Sequence, residues 1–148
     1  MIESLVSNIE GGLIIFVRFL QSIPPGANRI TGEQKQSERK QILEDFKAGL
    51  FKVLYITYGC GSFGLNLQFC KNMAFAEHTW DYAQRLQAEA RIYRMGQGER
   101  VDYYDFVCKD IGLEKLILAC LSRKTSILDE VKSEIERLGG TKEWVKTI

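Results

Sequence analysis

The sequence lacks several features that would place a chain in a specialised class. Its 148 residues include one histidine and two prolines, and its four cysteines form no CxxC pair. No apolar run reaches the roughly 18 residues that a membrane-spanning helix needs. The formal net charge is +1 at pH 7, so bulk charge neither indicates nor excludes nucleic acid as a partner. The amino terminus has no basic region followed by an apolar core, and therefore does not resemble a signal peptide.

What remains is an ordinary globular composition. Apolar residues make up 45% of the chain and charged residues 26%, and a chain of this length suits one domain with a single core. Widely spaced cysteines without metal-ligand spacing are typical of free thiols in a reducing compartment. We therefore expect a soluble intracellular protein with no metal site of its own and no membrane partner.

Apolar runs and amphipathic segments alternate along the chain. Val-, Ile- and Phe-rich runs predict strands at 12–19, 28–32, 52–57, 72–77 and 101–108. Three- and four-residue periodicity predicts helices at 2–9, 33–49, 80–94 and 112–138. The alternation predicts an α/β fold with a mainly parallel sheet and helices on both faces. In such folds ligands bind where the strands end, so the candidate loops are 31–33, 57–66 and 77–81.

The loop after the strand at 52–57 has glycines in the spacing GxGxxG, the nominal fingerprint of a dinucleotide-binding turn. Such a site also needs a long helix directly after the turn and an acidic residue about 20 residues on. Here only LNLQFCK separates Gly64 from the next predicted strand, and Glu77 at the end of that strand comes too early. A dinucleotide-binding oxidoreductase and a purely structural tight turn are the remaining alternatives for these glycines.

A second pattern lies on the helix predicted over 80–94. Gln87, Arg91 and Arg94 fall at i, i+4 and i+7, on one face. A solvated charged stripe is the ordinary interpretation, but it would place acids four residues from each arginine, where Gln87 and Ala90 stand instead. Arginine suits phosphate because its planar fork donates two parallel hydrogen bonds and stays charged. This face therefore favours recognition of a phosphate group outside the helix.

The segment QAEARIYRMGQ at 87–97 resembles motif VI of the Swi/Snf-type helicase-like ATPases, within helicase superfamily two. TYGCGSFGLNL at 57–67 is similar to motif V of that family, although Cys60 and Ser62 stand where Ala and Gly are usual. GLIIFVRF at 12–19 is similar to motif IV, and RITG with Glu38 and Arg39 resembles the family's conserved turn and helix. The resemblance covers residues 11–125, and motifs V and VI at this spacing are highly specific together.

The resemblance implies a RecA-like helicase C-terminal lobe at 1–110 and a helical extension at 111–148, which packs on the lobe or braces a first lobe. It implies ATP and Mg²⁺ as cofactors, with the Mg²⁺ ligands outside this chain. The implied catalytic residues are the arginine fingers Arg91 and Arg94. The implied residues of the ATP cleft are Gln87, Gly61, Gly64, Asn66 and Gln97. The implied contacts to the DNA backbone are Arg18, Thr31, Gly32 and Thr57.

A phosphate-binding GxxxxGK[ST] segment does not occur in the 148 residues. The acidic pair Asp129 and Glu130 lies in a predicted helix, not at a strand end. We therefore expect half of an ATPase: the second lobe of a translocase or helicase on double-stranded DNA, inactive without the N-terminal lobe of the same protein. The compact loops favour a bacterial or phage source, and hence a cytoplasmic location there. A stand-alone module that binds nucleic acid or protein without ATP chemistry is the main alternative.

Overall fold

The computed structural model of the chain describes residues 2–77, 82–93, 98–107, 118–123 and 132. The strands are β1 (Leu13–Val17), β2 (Arg29–Ile30), β3 (Val53–Thr57), β4 (Asn72–Phe75) and β5 (Asp102–Asp105). The helices are α1 (Ile2–Asn8), α2 (Gln36–Lys47) and α3 (Tyr82–Ile92), with 3₁₀ helices at Leu20–Ser22 and Tyr58–Phe63. The strands form one sheet in the order β2-β3-β1-β4-β5, and all neighbours pair in parallel.

Strand β1 is buried along its whole length because it lies at the centre of this sheet. Ile14 and Phe16 face a core that also contains Phe46 of α2 and Ile92 of α3. The alternate β1 side chains face a second core that α1 covers; its members include Leu13, Ile15, Val17, Ile2, Leu5 and Val6. Helices therefore cover both faces, and the predicted α/β class with a parallel sheet is confirmed.

The predicted elements are present with shorter bounds. The helix predicted from residue 33 begins at Gln36, because the residues before it form a turn after β2. It ends at Lys47 in a Schellman arrangement, in which Gly49 adopts φ +76° and Leu50 N donates to Asp45 O at 3.1 Å. Most of the helix predicted over 112–138 lies outside the described residues, although 118–122 are helical and Cys120 is buried. The boundary at residue 110 also lies outside them, so the division into two parts stays a prediction.

The amino-terminal edge of the sheet is fastened by side chains. Lys52 Nζ donates to the carbonyl oxygens of Val6 and Ile9 at the end of α1, at 2.9 and 3.3 Å. A Cβ atom on Gly12 would lie 2.6 Å from Cζ of the buried Phe46 ring, so the chain passes too close to α2 for a side chain there.

Among the described residues, no helix has the length and apolarity to cross a membrane.

Candidate functional site

Because every strand pairs in parallel, the carboxyl ends of all five meet at one edge of the sheet. Three loops begin at this edge of the sheet: the β1 loop (18–22), the β2 loop (31–35) and the glycine loop (58–67). Glu77 follows β4 at the same edge. The sequence-predicted site residues on these segments are therefore brought to one end of the molecule.

A buried arginine fixes the β2 loop from inside. Arg39 of α2 donates from Nε to the carbonyl oxygen of Thr31 at 3.1 Å and from Nη2 to that of Gly32 at 3.0 Å. Gln34 accepts from the Thr31 amide at 2.9 Å and donates to the carbonyl oxygen of Arg29 at 2.9 Å. Both peptide groups of the turn are thus fastened, and the planar fork of arginine is what allows one side chain to reach two carbonyls.

The four residues expected at the DNA backbone differ in exposure. Arg18 and Gly32 are exposed. The side chains of Thr31 and Thr57 are inside, because the two residues are 1% and 9% exposed. Thr57 ends the buried strand β3, and its Oγ1 lies 3.2 Å from Sγ of Cys60. Of these four residues, Arg18 and Gly32 are therefore open to a ligand at this edge, whereas the side chains of the two threonines lie in the interior.

The glycine loop begins as a 3₁₀ helix and turns at Gly64, whose φ of +66° favours glycine. Cys60, off the motif V pattern, is completely buried in the core beneath α2 and α3, so its larger side chain fills space inside the lobe. Gly64 and Asn66 are exposed. Residues 64–71 contain no helix. A dinucleotide site requires a helix amino terminus at this point, so that alternative is excluded.

Helix α3 has a buried inner face and an outer face, as its sequence pattern predicts. Arg85, Ala88 and Ile92 are buried, whereas Gln87 is exposed and Arg91 is half-buried. The carbonyl oxygen of Arg91 accepts a hydrogen bond from the Leu67 amide at 3.0 Å, which joins the end of α3 to the end of the glycine loop. Gly61 lies in the 3₁₀ helix of that loop. Arg94 and Gln97 lie outside the described residues.

Arg85 is a site-supporting residue that sequence reasoning missed. Its guanidinium lies 3.3 Å from the centroid of the Phe75 ring and donates to Asp105 at 2.5 Å and to Glu89 at 2.6 Å. Burial alone lowers the pKa of Arg85, but the hydrogen bonds to Asp105 and Glu89 outweigh burial and the pKa is raised. The pairing fastens α3 to β4 and β5, and so sets where Gln87 and Arg91 stand. The i, i+4 spacing of Arg85 and Glu89 was the available sequence signal.

Glu77 is a second residue that spacing alone did not reveal. Its carboxylate accepts hydrogen bonds from the backbone amides of Arg18 and Phe19, at 2.9 and 3.0 Å, and from the Ser22 hydroxyl. Its own carbonyl oxygen accepts from the Tyr58 hydroxyl at 3.0 Å. Burial raises the pKa of Tyr58, so that hydroxyl remains a donor at neutral pH. One residue therefore contacts both the β1 loop and the glycine loop.

No group of three or more His, Cys, Asp or Glu side chains that could hold a metal ion is found in the described part of the chain. On the outer face of α3 the Arg91 guanidinium is a donor only and the Gln87 amide can also donate, which suits phosphate oxygens. The prediction that the Mg²⁺ ligands lie outside this chain stays a prediction.

Comparisons with known proteins agree with this geometry. Residues 6–96 match the family model described as the helicase conserved C-terminal domain. The chain is 30% identical over 126 residues to the DNA repair protein rad5 of Neurospora crassa, covering 80% of this chain and 10% of that protein. It is 28% identical over 145 residues to the uncharacterized ATP-dependent helicase YqhH of Bacillus subtilis, covering 91% of this chain and 26% of that protein. The chain thus spans only a small part of the curated relatives.

A solved structure supports the fold independently. The C-terminal part of the Fun30 ATPase domain matches with a TM-score of 0.68 at 20% identity, over 80% of this chain and 43% of that one. Fungal, plant and human proteins outnumber bacterial and viral ones among the relatives, so the expected bacterial or phage source is not supported. With the family model covering most of the sheet and α3, this chain belongs to the helicase C-terminal domain family, as a RecA-like lobe of the Swi/Snf type.

Proposed function

We propose that this chain is the second motor lobe of an ATP-driven translocase on double-stranded DNA. The observation that carries the proposal is a direct link between two regions, the outer face of α3 and the glycine loop. The donor face of α3, with Gln87 and Arg91, is joined by the Leu67–Arg91 hydrogen bond to the glycine loop. A lobe that couples nucleotide state to movement needs such a connection between its phosphate-binding and DNA-facing parts.

The donor set fits one side of a phosphate site. An exposed amide and a half-buried guanidinium on one helix face can neutralise and orient phosphate oxygens. ATP, when bound with Mg²⁺, supplies the phosphoryl group whose hydrolysis drives the motor. We assign to Arg91 and Arg94 the role of balancing the charge that develops on the γ-phosphate oxygens. Gln87, Gln97, Gly61, Gly64 and Asn66 line the same cleft in this proposal.

The remaining half of the ATP site belongs, in this proposal, to an N-terminal lobe of the complete protein. The names of the relatives support ATP and DNA as the ligands, since they include a DNA repair protein, an ATP-dependent helicase and a chromatin-remodeling ATPase. A motor of this kind acts where the DNA is, so we place the complete protein inside the cell.

The DNA contact is assigned to Arg18 and to the backbone around Gly32. Both are exposed at the carboxyl edge, and a Cβ atom on Gly32 would meet no other atom within 4 Å. Thr31 and Thr57 act from behind this surface, because their side chains are buried. Contacts of this type read the phosphate backbone and not the base sequence.

The experiment that tests the proposal is Arg94→Ala in the complete two-lobed protein. Loss of an arginine finger should lower kcat by about 10³ or more while duplex DNA binding is largely kept. Arg100→Ala is the matched control, because that side chain is exposed and pairs with Asp102 near the start of β5. Near wild-type turnover in the Arg94 variant would remove the finger assignment.

A second measurement tests directly whether this chain holds only part of the ATP site. The 148-residue chain alone should bind ATP weakly and should not hydrolyse it, with or without duplex DNA. Robust DNA-stimulated hydrolysis by this chain would contradict the proposal, because a complete ATP site would then lie within one lobe.

A further inference from the structure

We infer that Glu77 is a positioning residue that holds the β1 loop in the shape in which Arg18 meets a DNA phosphate. The inference rests on the proposed function, since it presupposes that Arg18 contacts DNA. Glu77 is not itself a DNA ligand in this proposal. It acts through the backbone of the loop that carries the arginine.

Three hydrogen bonds to one carboxylate define the shape of the β1 loop. Oε2 of Glu77 accepts from the amides of both Arg18 and Phe19, and Oε1 accepts from the hydroxyl of Ser22. The amides and the hydroxyl stand at opposite ends of the loop, so the carboxylate clamps its entry to its exit. Hydrogen bonds to an ionised acceptor are stronger than neutral ones. This clamp is a long-range contact that the loop's own sequence does not provide.

The middle of the β1 loop is exposed, and its local support is the pair of backbone hydrogen bonds from Ser22 to Phe19 at 3.2 Å and from Ile23 to Leu20 at 3.1 Å. The Phe19 side chain is 54% exposed and Leu20 is also exposed, so apolar burial does not hold them. The Arg18 guanidinium lies 5.3 Å from the centroid of the Phe19 ring. Arg18 and Phe19 are also the two residues whose backbone amides Glu77 binds, so the clamp acts on the backbone that carries both side chains.

The positioning role of Glu77 is testable, because loss of its charge and loss of its hydrogen bonds change DNA binding in opposite directions. A carboxylate at a surface that meets DNA phosphates repels them, so removal of its charge alone would strengthen binding. Positioning predicts the opposite for Glu77→Ala, because the loop is released. Glu77→Gln separates the two effects: its carbonyl oxygen can accept from both amides and its NH₂ group can donate to Ser22, while the charge is gone.

The same residue also contacts the glycine loop, through the hydrogen bond from the Tyr58 hydroxyl to its carbonyl oxygen. The β1 loop and the glycine loop therefore share one residue as a support, by its side chain and by its backbone. Substitution of the Glu77 side chain leaves the backbone link in place. An effect of Glu77→Ala on DNA binding consequently reports on the β1 loop.

The test measures binding of a fluorescent duplex to the complete protein without nucleotide, over a series of salt concentrations. Loss of one phosphate contact reduces the slope of log K against log [salt] by about 1 and weakens binding about fivefold at 0.15 M salt. We expect these changes for Arg18→Ala and for Glu77→Ala, with no further change in the double variant. Glu77→Gln should bind at least as tightly as wild type. The matched control is Glu99→Ala, since that exposed acid pairs with Lys71 at the opposite edge.

The outcomes separate this inference from the proposed function. If Arg18→Ala leaves affinity and slope unchanged, the DNA contact in the proposed function fails, and the role of Glu77 fails with it. If Arg18→Ala has its effect but Glu77→Ala binds as tightly as wild type or tighter, the inference alone is overturned. Weaker binding by Glu77→Ala without a change in slope also overturns it, because a general loss of folded protein lowers affinity without removing a phosphate contact.

Discussion

The β2 loop and the glycine loop leave the same edge of the sheet but are held in different ways. The β2 loop is fastened by Gln34 and Arg39, whose hydrogen bonds reach three to eight residues along the chain. The glycine loop is fastened by distant residues: Tyr58 donates to Glu77, and Leu67 donates to Arg91. The first loop thus carries its own support, whereas the second takes its shape from β4 and α3.

This difference suits the two roles that we propose. A loop with local support forms a constant platform beside the DNA backbone, whatever α3 does. A loop bonded to the end of α3 responds when that helix shifts, because the Leu67–Arg91 hydrogen bond transmits the displacement directly. Nucleotide-dependent movement of α3 would therefore reach the glycine loop first.

Arg39→Ala should have the largest effect on stability, because it removes both carbonyl contacts and a buried side chain. We expect a loss of about 3 kcal/mol in the free energy of unfolding, measured by urea denaturation. The loss of stability for Arg39→Lys should lie between that of Arg39→Ala and that of the wild type, because the lysine ammonium keeps the charge but lacks the planar fork. Lys40→Ala is the control, since Lys40 is exposed on the same helix. A loss no larger than that of the control would show that the β2 loop does not depend on Arg39.

Alanine substitutions at two glycines form a matched pair that tests the backbone conformation of the glycine loop. Gly64→Ala should lower the free energy of unfolding by about 1.5 kcal/mol, because an L-residue is strained at the left-handed φ of Gly64. Gly59→Ala should cost almost nothing, since a Cβ atom there meets no other atom within 4 Å and its φ is not positive. Equal stabilities for the two variants would mean that the turn at Gly64 is not required.

Tyr58→Phe should lower the free energy of unfolding less than Gly64→Ala does, by about 1 kcal/mol, because it removes one hydrogen bond to Glu77. The ring contacts with Phe16 and Phe75 are kept. Hydrogen exchange should accelerate at the Leu67 amide and stay unchanged at the Thr31 amide, because the latter belongs to the locally supported loop. Tyr93→Phe is the control, since Tyr93 is exposed. Equal acceleration at both amides would erase the distinction between the loops.

The sheet was predictable from sequence because its strands are buried. An apolar run such as β1 has one stable place in an α/β lobe, at the centre of a parallel sheet. The positions of the β2 loop and the glycine loop followed from the strands, since each loop begins at the carboxyl end of a strand. The outer face of α3 was also predictable, because Gln87 and Arg91 repeat at helical spacing.

The separate roles of the arginines were not predictable in the same way. Arg39 and Arg85 are buried and bonded to named partners, whereas Arg18 is exposed and Arg91 half-buried. Apart from the i, i+4 spacing of Arg85 and Glu89, the local sequence does not distinguish them, because burial is decided by which strand or helix packs above each side chain. Thr31 and Thr57 were expected to contact the DNA backbone, but their side chains are buried where β2 and β3 end.

The assignment of a finger to α3 is tested most directly by transition-state binding in the complete protein. Arg91→Ala should bind ADP with wild-type affinity, because a finger contributes little to the ground state. Its affinity for ADP with aluminium fluoride, measured at saturating duplex DNA, should fall by about 10² or more. Unchanged affinity for that analogue would contradict the assignment of Arg91 to the ATP site.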